Sequence, residues 1–342
     1  FVSSQREGAS LLSALGLPVR PRGRTDLAVL LPGEAPTLLE EAIDLPFEQG
    51  SLGRSPLFRQ AMGELPESAA VRAYVAGSLL YAVLRDELRR FRLPASLAAL
   101  LPLPGTVAAA ALPDQGGFRL VGRASLPARD QPPRIEPRLP AEVLAGASLL
   151  LVTSRLDRPL GALLAGLDRL SPGLDQKLRL AQAALGLSLE GDILPALSGE
   201  AALARYREGE GLVVRLDRQG ERVVHQLLAR LGPILALAKL GSLRALSPGA
   251  YRLSLPGPKL ALLVALEPGK LLLATSAATL SRMRAHAAPL ARQPTYRALL
   301  ARARLPSQVS ALLYVSLPRV AALVGLRPEG GGLGIEGFLS VE

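Results

Sequence analysis

Leu52-Gly-Arg-Ser-Pro56-Leu-Phe58-Arg59-Gln-Ala61, followed by Leu65-Pro66 and Ala73-Tyr74-Val75, returns later in the chain. The second version reads Leu290-Ala-Arg-Gln-Pro294-Thr-Tyr296-Arg297-Ala-Leu299, then Leu305-Pro306 and Leu313-Tyr314-Val315. Pro294 lies 238 residues after Pro56 and Leu305 lies 240 after Leu65, so one version carries two extra residues. Proline in a first helical turn costs no hydrogen bond, and a Leu-Pro pair stops a helix. Each stretch therefore predicts a helix, a stop and a buried strand, with Phe58 and Tyr296 in equivalent pockets. A module used twice must bury the same faces twice, which constrains architecture far more than chemistry.

Between and around these stretches the chain reads as hairpins and helix pairs. A helix is expected over Glu7–Leu15. Residues 18 to 49 have no counterpart in the second version; their apolar run Leu27–Leu31 and acidic run Glu34–Asp44 read as a surface elaboration. Gly77–Arg92 is amphipathic, with Leu80, Leu84, Leu88 and Phe91 on one stripe and Arg85, Arg89 and Arg90 on the other side. Val107–Leu112 and Phe118–Leu126 flank Asp114-Gln-Gly-Gly117 as a hairpin. Pro127–Pro140 is too proline-rich for a central strand or a helix and reads as a linker.

Beyond it, a strand over Ala147–Thr153 precedes two helices, one through Leu160–Leu167 and one through Leu174–Leu185. A helical turn from Leu189 leads into strand Ala201–Tyr206. Val213–Leu216 is a strand and Val223–Leu231 a helix face. Strands Tyr251–Leu255, Lys259–Leu266 and Leu271–Ser276 are joined by Pro-Gly turns. A helix near Val320 and a strand Gly334–Val341 end the chain. The fold class that follows is α+β: two related units of antiparallel sheet, helices packed on one face, residues 1–126 an N-terminally incomplete unit and 141–342 a complete one, joined by 127–140. Because the first unit opens at a strand end, an upstream segment with an export signal is expected.

Hydrophobic residues make up 49% of the 342 and charged residues 20%, a globular composition. With aromatics at 4%, Leu, Ala and Val must fill the core. The absence of Cys removes disulfides and thiolate chemistry. Asn is absent and 36 of the 40 basic residues are Arg, which fits a heat-adapted source and a GC-rich genome equally. The net charge of +11 would attract anionic lipid, polysaccharide or nucleic acid, but it is scattered rather than gathered in a run. Stacking aromatics beside basic residues are missing, so no specific nucleic-acid partner is expected. The uncharged run Leu93–Pro113 has the length of a membrane span, but Pro94, Pro102, Pro104 and Gly105 break it.

Catalytic patterns are hard to find. Gly332-x-Gly334-x-x-Gly337 has the letters of a dinucleotide fingerprint but leads into a strand, where no helix N-terminus can meet a phosphate. Pro268-Gly269-Lys270 lacks the rest of a phosphate loop and reads as a hairpin turn. His225 and His286 have no nucleophile in a recognisable pattern. Asp192 and Glu200 could form an acid/base or cation pair; the structural reading makes Asp192 a helix-start cap and Glu200 a hydrogen-bond acceptor where Gly199 turns the chain into a strand, with Arg205 and Arg207 as partners. The structural reading is preferred. No catalytic residue, metal site or cofactor is expected.

Leu189-Glu-Gly-Asp192-Ile-Leu-Pro195-x-Leu-Ser-Gly199-Glu200-x-Ala, with Leu272-Leu-Ala-Thr-Ser276, Tyr296-Arg297, Leu305-Pro306 and Leu313-Tyr-Val315, resembles the bacterial family known as domain of unknown function 3352. The likeness spans nearly the whole chain. It implies an exported protein of the cell envelope, periplasmic or at the cell surface, and carries over no catalytic residue. The expected function is therefore non-enzymatic: an envelope scaffold, assembly subunit or docking partner. The alternative is a carrier that holds an apolar ligand such as a lipid between sheet and helices. Other envelope proteins or an anionic envelope component are the expected partners, the latter reached through Arg85, Arg89, Arg90 and Arg92.

Overall fold

The computed structural model describes residues 19–22, 26–29, 55–90, 103–127, 130–143, 145–161, 174–237, 241–254, 261–284 and 288–341. The expected helix over Glu7–Leu15, the acidic run Glu34–Asp44, most of the helix through Leu160 and the Pro256-Gly257 turn lie outside these residues.

Strands β1 (Val19–Arg22) and β2 (Asp26–Val29) form a two-stranded antiparallel ribbon. Ser55 then accepts the N–H of Phe58 at 3.4 Å, and Pro56 takes the first position of helix α1 (Pro56–Gly63). Leu65-Pro66 ends it, and strand β3 (Val71–Ala76) follows. The predicted amphipathic helix is α2 (Gly77–Arg90), and the predicted hairpin is β4 (Thr106–Asp114) with β5 (Gly117–Ala124). After the proline-rich segment come β6 (Leu149–Ser154), α3 (Leu174–Leu185), β7 (Glu200–Tyr206), β8 (Gly209–Arg215) and α4 (Arg218–Leu237). Two hairpins follow, β9 (Ser242–Ser247) with β10 (Ala250–Ser254) and β11 (Ala261–Glu267) with β12 (Lys270–Ala274), then α5 (Ala277–Arg284). The second quoted stretch gives α6 (Pro294–Ala303), opened by Pro294, and β13 (Ala311–Leu317). The chain continues into β14 (Val320–Glu329) and β15 (Gly332–Val341).

The two quoted stretches match in detail. Phe58 meets Tyr74 edge-on with ring centroids 5.2 Å apart, and Tyr296 meets Tyr314 the same way at 5.4 Å. Each strand then leads a three-stranded meander: β3-β4-β5 and β13-β14-β15. The tight turns at their ends place Gly116 at φ 72° and Gly331 at φ 81°, a conformation that glycine adopts without strain. One residue position stands out: a Cβ on Gly122 would lie 2.3 Å from Ala108 O, and a Cβ on Gly337 would lie 2.4 Å from Leu323 O. The shift in numbering that carries Gly122 onto Gly337 also carries Ala108 onto Leu323.

Among the described residues thirteen strands form one sheet in the order β3-β4-β5-β15-β14-β13-β6-β7-β8-β12-β11-β10-β9, every neighbour antiparallel. The α+β class is therefore correct, with a single large antiparallel sheet. The strands expected in two related units share this sheet: β5 pairs with β15 from Phe118↔Leu339 to Ala124↔Leu333, so the sheet runs past the linker without a break. The helix expected near Val320 is strand β14. Its neighbours on both sides offer a full set of backbone partners, which outweighs the helical preference of Ala321, Ala322 and Leu323. Strand β9 has no counterpart among the strands expected from the sequence.

Helices also pack on both faces, not one. Ala202, Ala204, Val213, Leu272, Tyr314 and Phe338 bury one face with α5 and α6, through Leu280, Met283, Tyr296 and Leu299. Ala201, Val214, Val264 and Leu271 point the other way and are covered by Val224 and Leu228 of α4. Strands β8, β11 and β12 are apolar on consecutive residues, so neither face can be left to water there. Arg302 of α6 donates to Gln115 O at 2.9 Å and lies 5.4 Å over the Phe338 ring, tying the second meander's helix to the first meander's turn.

Candidate functional site

Ser188, not Asp192, caps the helical turn at Leu189–Ile193: Ser188 Oγ accepts the Gly191 N–H at 3.0 Å, and Asp192 Oδ2 accepts the Ser188 N–H at 2.7 Å. The two residues close a reciprocal box, so Asp192 spends its carboxylate on its own turn. Gly199 marks a close approach, since a Cβ there would lie 2.3 Å from Arg215 O. Glu200, its side chain 9% exposed, turns toward the proline-rich segment. Its Oε1 accepts the N–H groups of Arg138 (2.7 Å) and Leu139 (2.8 Å), the start of a 3₁₀ turn. The expected partners Arg205 and Arg207 are not the ones used. Arg215 lies 3.9 Å from Glu200 Oε2, while Arg205 approaches Glu210 at 3.8 Å.

Burial pushes the Glu200 carboxyl above its ordinary range; the two N–H donors and Arg215 pull it back, and the neighbouring Glu142 charge adds to the rise. Glu142 in turn pairs with Arg215 at 3.3 Å and Lys270 at 2.9 Å. Asp192 and Glu200 thus serve different segments and share no partner. The Glu142–Lys270 pair lines a cavity of about 130 Å³ between the sheet and α5, with Tyr206, Val213, Leu272 and Met283. A shallower groove of about 570 Å³ opens where β5 meets β15, edged by Glu64, Arg123, Glu329 and Glu336. Its charges are already paired: Arg123 with Glu64 at 3.1 Å, and Arg327 with Glu329 at 2.7 Å and Glu336 at 3.2 Å.

The remaining candidates stay apart from this cluster. Arg85 is exposed on α2; Arg89 and Arg90 belong to the same helix, and Arg92 lies outside the described residues. His225 is exposed on α4, and His286 lies outside the described residues. The three glycines of Gly332-x-Gly334-x-x-Gly337 are all within β15, consistent with the strand reading, and Lys270 opens β12 after a tight turn.

The feature that sequence reading missed is the open side of the central strands. In β6, Leu150, Val152 and Ser154 are buried, whereas Leu151 is 36% exposed. Leu203 of β7 is 42% exposed and Leu317 of β13 55%. Leu151 stands directly between Leu313 and Leu203, and Leu203 opposite Leu212; Leu149 faces Val315 beside them. The apolar cluster under α4 reaches Leu212 and stops there. An antiparallel sheet normally turns polar residues to such a face. Here the row Leu212, Leu203, Leu151 and Leu313 is aliphatic throughout, and the next carries Leu149 and Val315 with Arg205 beside them.

A family model described as Protein of unknown function (DUF3352) matches residues 25–241, more than half of the chain. The chain belongs to this family. No curated protein matches. Among solved structures, two crystal forms of TP0453 align with 60% of this chain and 94% of theirs, at 8% and 10% identity and TM-scores of 0.28 and 0.29. At such scores the likeness carries no argument about this family member. Among the described residues, no helix is long and apolar enough to cross a membrane.

Proposed function

We propose that this chain is a non-enzymatic, extracytoplasmic envelope protein that works through its surface, as a scaffold, assembly subunit or docking partner. The observation that carries the reading is the aliphatic face formed by exposed Leu151, Leu203 and Leu317 with half-buried Leu313 among them. Contiguous exposed apolar surface on a folded chain marks a place where another molecule sits. The envelope location rests on the family resemblance. A lipid carrier would need an enclosed apolar chamber of roughly 300 Å³ or more; among the described residues the space between sheet and α5 is about 130 Å³ and holds an ion pair, and the larger groove at β5 and β15 is open and edged by paired charges, which favours the surface reading.

Two related units remain the architecture proposed. The matched aromatic pairs, the two helix-led meanders and the equivalent close approaches at Gly122 and Gly337 support it, with a pseudo-twofold axis through the Val121↔Glu336 pair of β5 and β15. A change at one position then has a counterpart to compare it with.

The test is a paired substitution, Leu151→Glu with Leu203→Glu, in the native host. A stoichiometric partner that crosslinks to the parent protein should be lost from the variant while its thermal unfolding stays close to the parent's. Retention of every crosslink by a folded variant removes the face from consideration, and a lipid extracted in stoichiometric amount returns the carrier. The anionic-component proposal is checked separately. Charge reversal of Arg85, Arg89 and Arg90 should weaken binding to anionic vesicles, and added salt should do the same, because ions screen surface charge beyond about 10 Å at 0.1 M.

A further inference from the structure

Strand β9 ends the sheet, and the residues around it carry an unbalanced charge. Arg244 of β9 stands directly opposite Arg252 of β10. Both are exposed, and neither has a carboxylate within ion-pair reach among the described residues. Like charges placed opposite each other weaken an antiparallel pair. No acidic residue occurs anywhere from Gly241 to Leu255 to relieve them. Other arginines of this protein are treated differently: Arg155, Arg215, Arg282 and Arg327 each hold a carboxylate at 3.3 Å or less.

A basic residue on an edge strand commonly guards it against self-association. That explains Arg244 alone. Arg252 sits on β10, whose two edges are already paired with β9 and β11, so it guards nothing. Among the described residues no strand pairs with the outer edge of β9, five of its six residues are exposed, and α4 supports it from the opposite face through Leu243. An extended segment laid along β9 would satisfy that edge by main-chain hydrogen bonds. A carboxylate on it, level with Arg244, would bring a negative charge to both guanidiniums, which bind carboxylates through two parallel N–H bonds.

We propose that the β9 edge receives an extended acidic segment of a partner protein by strand addition, its carboxylate seated on the Arg244–Arg252 pair. The inference deepens the surface-acting reading by naming a partner chemistry, and it uses a different part of the molecule from the aliphatic face. The occupant is a protein strand rather than a lipid or polysaccharide, because the unpaired backbone row beside the arginines has a use only for another backbone.

The full chain is titrated with a labelled seven-residue peptide alternating Val and Glu, read by fluorescence anisotropy. Three controls share its length: a neutral Val/Thr peptide, a peptide of equal charge with proline at its centre, and the same Val/Glu peptide against the variant Arg244→Glu with Arg252→Glu. Binding should weaken about tenfold or more with each control, the scale of one lost charge-assisted contact. The milder variant Arg244→Gln with Arg252→Gln, checked by circular dichroism, keeps the test valid if charge reversal disturbs folding. Equal binding of the proline-interrupted or neutral peptide overturns the proposal. So does binding of anionic vesicles with none of the peptide, or a concentration-dependent dimer that Arg244→Glu abolishes. Loss of the Leu151/Leu203 crosslinks leaves this outcome untouched, so the two readings fail separately.

Discussion

Tyr314→Ala should destabilise the protein by about 3–5 kcal/mol, the loss typical of a large aromatic removed from a packed core. Tyr314 is 0% exposed on β13, at the centre of the largest cluster, and holds Tyr296 of α6 edge-on. Its hydroxyl is buried with no hydrogen-bond partner among the described residues. Tyr314→Phe should therefore be neutral or stabilising, by up to about 1 kcal/mol, because the ring stays and an unpaired polar atom leaves. Tyr74, its counterpart on β3, is only partly buried, so Tyr74→Ala should cost less than Tyr314→Ala. Equilibrium urea unfolding measures all three. Equal losses for Ala and Phe at position 314 would mean that the hydroxyl, not the ring, is what the core depends on.

The same residues show how far the amino-acid order can be read. Pro56, Phe58, Leu65-Pro66 and Tyr74, with their later counterparts, are local signals: a proline that needs no donor, a stop, an apolar strand. These yield helix, end and strand without knowledge of the rest of the chain. The Asp114-Gln-Gly-Gly117 turn and the apolar alternation around it are equally local. Which strand lies beside β5 is not a local property. Phe118–Ala124 could pair with any apolar strand of suitable length, and only the folded chain selects Leu333–Leu339. The continuity of the thirteen-stranded sheet follows from that choice. In β14, Val-Ala-Ala-Leu-Val fits a helix stripe and a buried strand alike, and only its two neighbours decide between them. Strand β9 escaped because an edge strand with exposed serines and an arginine lacks apolar alternation.

The site was legible to a lesser degree. Gly199 and Glu200 were recognisable as a place where chain direction and charge need attention. Their true contacts lie with Arg138, Leu139 and Arg215, distant positions that no spacing rule identifies. Ser188 was within reach, since a serine ahead of acidic residues is a common helix start. The open aliphatic face was hidden for a physical reason: Leu149-Leu150-Leu151-Val152 reads as a strand buried on both sides, and the sequence carries no mark of which side is left uncovered.

Glu200→Ala should cost about 1–3 kcal/mol, since it strips the acceptor from the Leu139 N–H in the interior, while the N–H of exposed Arg138 can turn to water. It also frees the proline-rich segment just where Leu139, 0% exposed, enters the core. Glu200→Gln separates the acceptor from the charge. The amide oxygen can still receive both N–H groups, so the loss should be far smaller. The pH dependence then has a definite sign. Burial raises the Glu200 carboxyl in the folded state, so folding favours its protonated form. The stabilisation linked to that proton is complete below the unfolded carboxyl's pKa and is lost as pH rises through the higher folded value. Glu200→Gln, which has no proton to lose, should lack this decline, so its stability relative to the parent improves from acidic to neutral pH. Urea unfolding of the parent and the Gln variant across that range gives the difference directly. A relative stability that worsens toward neutral pH would mean that Arg215 and the two N–H donors outweigh burial, and that Glu200 is held as a carboxylate because it anchors the segment through its charge.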